Sequence, residues 1–123
     1  MTDTGFTYDQ DIVIDSQTGL MWQRNVAEER FNPENAKQYA AKLRLGGFSV
    51  WRVPTKEELE SIVDHSKYGP AIDTTAFPNT PSGLFWTVSP NAYFSSYAWV
   101  VNFSNGHSDY SDVRYSYRVR CVR

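Results

Sequence analysis

A single cysteine, Cys121, excludes an internal disulfide and any cysteine-based metal cluster. Histidine is almost as scarce. His65 and His107 stand in unrelated contexts, so no Ser/His/Asp set or histidine ligand cluster is spelled out. No apolar run approaches the roughly 18 residues that read as a membrane span. The N-terminal Met1-Thr2-Asp3-Thr4-Gly5 lacks both the basic and the apolar part of a signal peptide, which predicts synthesis in the cytoplasm. A net charge of -2 argues against a nucleic-acid partner, because phosphate binding needs many Lys and Arg contacts. No Gly-rich phosphate loop occurs. Lysine is absent after Lys67 and glutamate after Glu60, so the two halves of the chain differ in kind.

The chain is long enough for one domain, residues 1–123, with a core that needs no staples. Asp11-Ile12-Val13-Ile14-Asp15 and Leu20-Met21-Trp22-Gln23-Arg24 flank a break at Gly19 and predict a hairpin. Asn32-Pro33-Glu34 opens a helix, and Ala36, Tyr39, Ala40 and Leu43 give it one buried face up to Gly46-Gly47. Thr55 and Glu58 form a capping box, which predicts a second helix through about Asp64 with Leu59, Ile62 and Val63 inward. Residues 66–90 carry four of the six prolines and predict a long irregular connection pinned by Phe77, Phe85 and Trp86. In the last stretch, Tyr117, Val119 and Cys121 alternate with Arg118 and Arg120, a period-two pattern that should pair with the N-terminal hairpin. Cys121 reads as a small buried hydrophobe. Arg114, Arg118, Arg120 and Arg123 leave a local basic patch open.

What is abundant sits in residues 91–117. Tyr, Ser, Asn and Asp fill this segment, while Lys, Glu, Gln, Leu, Ile, Thr and Met are missing from it. Tyr supplies stiff contact area and Ser and Asn adaptable hydrogen bonds, which is the composition of binding loops. A strand signal, Ala98-Trp99-Val100-Val101-Asn102-Phe103, runs into the tight-turn dipeptide Asn105-Gly106. The candidate ligand contacts are Tyr93, Phe94, Ser96, Tyr97, His107, Tyr110, Asp112, Arg114, Tyr115 and Tyr117. They are expected on one exposed face, with residues 107–117 as irregular loop. A solvated hairpin with ordinary tyrosines fits the same composition.

Several motifs occur in a characteristic order: Thr18-Gly19-Leu20-Met21-Trp22-Gln23, Gly47-Phe48-Ser49-Val50-Trp51-Arg52-Val53-Pro54-Thr55, Ala76-Phe77-Pro78-Asn79-Thr80, Phe85-Trp86, Ala98 to Phe103, and Arg118 to Arg123. In this the chain resembles the C-terminal domain family of the Legionella collagen-like protein, from about residue 6 to the end. The resemblance implies an α+β, C-type-lectin-like fold of the formylglycine-generating-enzyme type. Two helices would pack on a twisted antiparallel β region with paired termini, and Trp22, Trp51, Trp86 and Trp99 would be scaffold. Lectin-type calcium binding is not carried over, since Ser89-Pro90-Asn91 lacks the acid and Trp99-Val100-Val101-Asn102 lacks the Asn-Asp pair. No metal, no cofactor and no enzymatic activity are expected.

Similar domains also serve as the variable proteins of diversity-generating retroelements, whose C-terminal region is rewritten at template adenines. Randomising the first two bases of an AAC codon never yields Lys, Glu, Gln, Met or Trp. Apart from Trp99, residues 91–117 obey that exclusion. The reading is a non-enzymatic ligand-binding domain with residues 91–117 as a variable display region. A carbohydrate or sulfated-glycan adhesin is its rival. The partner is an unidentified protein or glycan, a homo-oligomer stays open, and any place on a cell surface or virion would be reached without a signal peptide.

Overall fold

The computed structural model describes residues 5–123; the stretch Met1–Thr4, read above as lacking a signal peptide, lies outside the described residues. Two three-stranded antiparallel sheets carry the fold. The first joins β1 (Phe6–Tyr8), β2 (Ile12–Asp15) and β3 (Met21–Gln23) in that order. Its predicted hairpin forms because the Asp15 carboxylate accepts from the Gln17 N–H and the Thr18 hydroxyl while Gly19 takes a φ of +75°. Then come α1 (Pro33–Lys42) and α2 (Lys56–Glu60), and the second sheet follows as β4 (Leu84–Pro90), β5 (Tyr97–Asn102) and β6 (His107–Asp112).

Both helices start where the sequence places them and stop sooner. Asn32 caps α1 by accepting from the Asn35 N–H at 2.8 Å, and Ala36 and Ala40 are the face it buries. In α2 the capping box is complete in both directions, and the Arg52 guanidinium grips the same Glu58 carboxylate at 2.7 and 2.8 Å. That bond and the desolvation opposing it leave the Glu58 carboxyl below its usual range. After Glu60 the chain tightens, with Ile62 and Val63 donating three residues back, and the Asp64 N–H leaves for the Ala71 carbonyl. α2 is therefore five residues long and does not reach Asp64.

The α+β, C-type-lectin-like architecture with two helices packed on the sheet is not what is found. Helices of ten and five residues are too short to form a layer, and two small sheets make a mostly β protein. Among the described residues no helix is long and apolar enough to cross a membrane. Two strands also replace predicted irregular chain. β4 occupies the end of the proline-rich connection, and β6 occupies residues read as loop.

The C-terminal stretch joins the sheets. Arg118 makes backbone hydrogen bonds with Leu84 and Trp86 of the second sheet, and Arg123 exchanges them with Met21 of the first. The Cys121 carbonyl accepts from the Gln23 N–H, while its own N–H donates to the Gln23 carboxamide oxygen. The predicted pairing of this stretch with the N-terminal hairpin is present. Side chains of both sheets and of α2 meet in one apolar cluster that includes Val13, Trp22, Leu59, Phe77, Phe85 and Val101. A second cluster, with Ile12, Ala36, Trp51 and Val119, lies across the first sheet beneath α1.

Because the tail runs between covered surfaces, its alternation does not separate inside from outside. Val119, Arg120, Cys121 and Val122 are all buried. Arg120 has no carboxylate partner among the described residues. Its guanidinium donates to the carbonyls of Gln23 and Arg24 at 2.7 and 2.6 Å and to the Thr80 hydroxyl at 2.9 Å. It also stacks 4.8 Å from the centre of the Phe77 ring. Burial pushes Arg120 down to about 9 and the Cys121 thiol up to about 12, so at neutral pH the first is charged and the second protonated. The open basic patch does not hold together: Arg120 is interior, Arg118 half-buried and Arg114 engaged by Asp112, while Arg123 stays exposed over the Phe48 ring.

Replacing Arg120 with Met keeps the volume and strands three buried acceptors, so Arg120→Met should cost about 3 kcal/mol in urea melts. Arg120→Lys should recover only part of this, since one ammonium cannot reproduce the fork. A loss below about 1 kcal/mol would show that the tail does not need the guanidinium. Val50 offers the opposite test. It is β-branched, 77% exposed and held at a φ of +63°. Left-handed backbone costs an L-residue about 1–2 kcal/mol, so Val50→Gly should raise stability by about 0.5–1 kcal/mol after the flexibility of glycine is counted. Unchanged or lower stability would mean that the valine side chain stabilises the loop.

Candidate functional site

Cross-strand register decides what the 91–117 segment shows to solvent. Residues directly opposed in an antiparallel pair share a face, and neighbours along a strand alternate. Tyr97 opposes Asp112, Trp99 opposes Tyr110 and Val101 opposes Ser108. Val101 and its β4 partner Phe85 are fully buried, and α2 packs across β4 and β5. Past the N-terminus of α2 the same face is open. There the side chains of Tyr97, Trp99 and Tyr110 stand with Phe94 from the preceding loop.

These four rings touch one another. Ring centres lie 5.3 Å apart for Phe94 and Tyr97, 5.8 Å for Tyr97 and Tyr110, 6.3 Å for Phe94 and Tyr110, and 5.6 Å for Trp99 and Tyr110. The Trp99–Tyr110 pair is edge-to-face, the arrangement the ring quadrupoles favour. Phe94 and Tyr110 remain 51% and 43% exposed. The Asn91 carboxamide holds the loop carrying Phe94 by accepting from the N–H groups of Tyr93 and Phe94.

A charged rim borders the rings. The Lys56 ammonium sits 4.9 Å from the centre of the Trp99 ring and 3.0 Å from the Glu60 carboxylate. Glu60 also accepts from the Ser108 hydroxyl. Burial pushes the Glu60 carboxyl up, but the hydrogen bonds from Ser108 and Lys56 outweigh it and hold the group below its usual range. On the other side Arg114 grips the Asp112 carboxylate through Nε and Nη2 at 3.1 and 2.9 Å and lowers its pKa. The β6 edge is itself blunted at the centre of the platform, where Asp109 accepts the Tyr110 N–H at 2.8 Å.

The ten candidates do not form one face. Phe94, Tyr97 and Tyr110 make the platform, and Asp112 with Arg114 lies at its border. Tyr93, Ser96 and Tyr115 are exposed on the adjoining loops. His107 is exposed, but alternation turns it to the opposite face. Tyr117 belongs to that side too: it packs 5.1 Å from Trp86 and pairs its hydroxyl with Ser111. The face splits because residues 107–112 are a regular strand. Sequence reading assigned Trp99 wholly to the scaffold, and register moves it to the platform. Its alternation with Ala98 and Val100, both buried, carried that signal. Lys56, Glu60 and Ser108 were missed because the first two lie 40 or so residues upstream, in a helix read only for its cap and its buried face.

Among the described residues no group of three or more His, Cys, Asp and Glu is placed to hold a metal ion. Among curated proteins, none matches the chain. The Lcl C-terminal domain family does match, over residues 11–123, from the first hairpin through the platform to the stitched tail. The chain therefore belongs to the Lcl C-terminal domain family.

Proposed function

We propose that this is a ligand-binding domain that acts without catalysis and presents the Phe94, Tyr97, Trp99 and Tyr110 platform to a protein partner. Membership of the Lcl C-terminal domain family supports binding or adhesion in general. The platform carries the finer reading. Aromatic anchors ringed by charged groups are the composition of binding hot spots, where large rigid side chains bury much area for little entropy. Lys56, Glu60, Asp112 and Arg114 then set charge complementarity at the rim. Burial of Arg120 and the pairing of Arg114 with Asp112 weaken the support for a sulfated-glycan ligand.

The restricted composition of residues 91–117 supports one step further: the platform and its loops are the diversified part of a retroelement variable protein. If so, sequence variation within a population should fall on Tyr93, Phe94, Ser96, Tyr97, Tyr110, Arg114 and Tyr115. Ala98, Val100, Val101 and Phe103, all buried, should stay fixed. Sequencing the flanking DNA checks this through a near-copy of the 3′ coding end that differs at adenines. Variation spread evenly over buried and exposed positions would refute it.

The binding reading is tested by screening the domain against a protein library and a glycan array, then measuring affinity for the recovered ligand. Tyr97→Ala and Tyr110→Ala should each weaken binding about tenfold or more, as anchor truncations do. Tyr110→Ala should move stability by less than about 1 kcal/mol, against about 3–5 kcal/mol for Trp51→Ala in the core. A ligand whose binding survives both tyrosine changes would overturn the platform, and a glycan lost with them would favour the adhesin reading.

A further inference from the structure

Arg118 lies two residues from Arg120 on the same tail, yet its guanidinium is almost unanswered. The backbone fixes it firmly: its N–H donates to Leu84 and its carbonyl accepts from Trp86. The side chain is half-buried, and among the described residues its Nε has no hydrogen-bond partner. Nη1 reaches toward the Ala27 carbonyl at 3.5 Å, a distance at which little bond energy remains. No carboxylate among the described residues pairs with it. A partly desolvated charge with so few partners is costly, and such groups mark places where a partner arrives from outside.

The space for that partner is present. Arg118 lines a cleft of about 670 Å³ walled by Asn25, Val26, Glu28, Pro78, Asn79 and Pro81. It also lines an adjoining hollow of about 300 Å³ that includes Arg30 and Pro81. The first volume lies within the range of small-molecule sites. Val26, Pro78 and Pro81 offer apolar surface for the body of a ligand. Asn79 holds a φ of +56°, a strained backbone at the cleft wall. None of these residues belongs to the aromatic platform.

We infer that the Arg118 cleft is a second binding site, which takes a monocarboxylic acid carrying an apolar body. The guanidinium fork matches a planar carboxylate, and Val26 and the two prolines cover what lies behind it. Glu28 decides the charge of the ligand. It is exposed, lines the cleft and forms no ion pair with Arg118. A second negative charge on the ligand would meet it, so phosphate monoesters, doubly charged near neutral pH, are disfavoured against a single carboxylate.

Nuclear magnetic resonance on the ¹⁵N-labelled full chain tests this with benzoate as the probe. Benzamide serves as the neutral isostere and phenyl phosphate as the doubly charged one. Benzoate should shift the Arg118 side-chain Nε–H resonance and the backbone amides of Val26 and Asn79, and benzamide should not. Arg118→Gln should weaken benzoate about tenfold or more, as loss of a charge-assisted fork does. Glu28→Gln should tighten it about threefold, the size of an exposed charge contribution. Glu28 is solvent-exposed, so that variant keeps the test alive if Arg118→Gln fails to fold. A tripeptide with a free C-terminal carboxylate, run beside its amide, separates a chain terminus from a free acid as the source of the group. Equal binding of benzamide and benzoate, shifts confined to the aromatic platform, or weaker benzoate binding by Glu28→Gln would each overturn the site. Because the platform is separate, failure here leaves the reading of residues 91–117 standing, and the reverse holds as well.

Discussion

The fold turns on one buried charge. The Arg120 guanidinium is placed where the tail crosses from the second sheet to the first, and it answers the carbonyls at the end of β3 together with the Thr80 hydroxyl. The tail beside Gln23 makes isolated bridges and not a continuous ladder, and its Cys121 N–H donates to the Gln23 side chain and not to that carbonyl. A buried acceptor left alone costs about 1–3 kcal/mol. One planar group with five donors resolves several of them at once, and Phe77 covers its face. The penalty of holding the charge in the interior is visible as a pKa pushed down to about 9, still high enough to keep the charge at neutral pH.

What the sequence makes legible is what short-range chemistry decides. The Asn32 cap, the Thr55–Glu58 box, the Gly19 turn and the Asn105-Gly106 turn each need only neighbours within a few residues, and each forms where its residues stand. What escaped depends on neighbours far along the chain. Arg120 reads as an outward residue by alternation, and only the cover on both sides of the tail reverses that. β6 reads as loop because Ser, Asp and Tyr suffice for an edge strand whose side chains need no core. The implied C-type-lectin-like fold failed on helix length, which the turn after Glu60 decides by diverting the Asp64 N–H to Ala71.

The candidate site follows the same division. Its composition was visible at once, but its geometry was not. Trp99 alternates with Ala98 and Val100, and where α2 begins determines whether its side of β5 is covered or open. A helix through Asp64 would still begin at Lys56, so the N-terminal cap fixes the border of the platform and the C-terminal end does not. Thr55 and Glu58 thus act on the site indirectly: they set where α2 begins, and hence where Lys56 meets the Trp99 ring.

Arg118 and Arg120 make the contrast between scaffold and site within three residues. Both sit on a backbone held by interstrand bonds, and both bring a guanidinium out of bulk water. Among the described residues Arg120 finds three good acceptors, and Arg118 finds one at 3.5 Å. The difference is not in the side chain or its position along the tail but in what the opposing wall supplies. For Arg120 that wall is strand-end backbone and the Thr80 turn. For Arg118 it is a cleft. Among the described residues Arg118 has no closer acceptor, and that contrast with Arg120 is the ground for inferring a ligand carboxylate at the cleft.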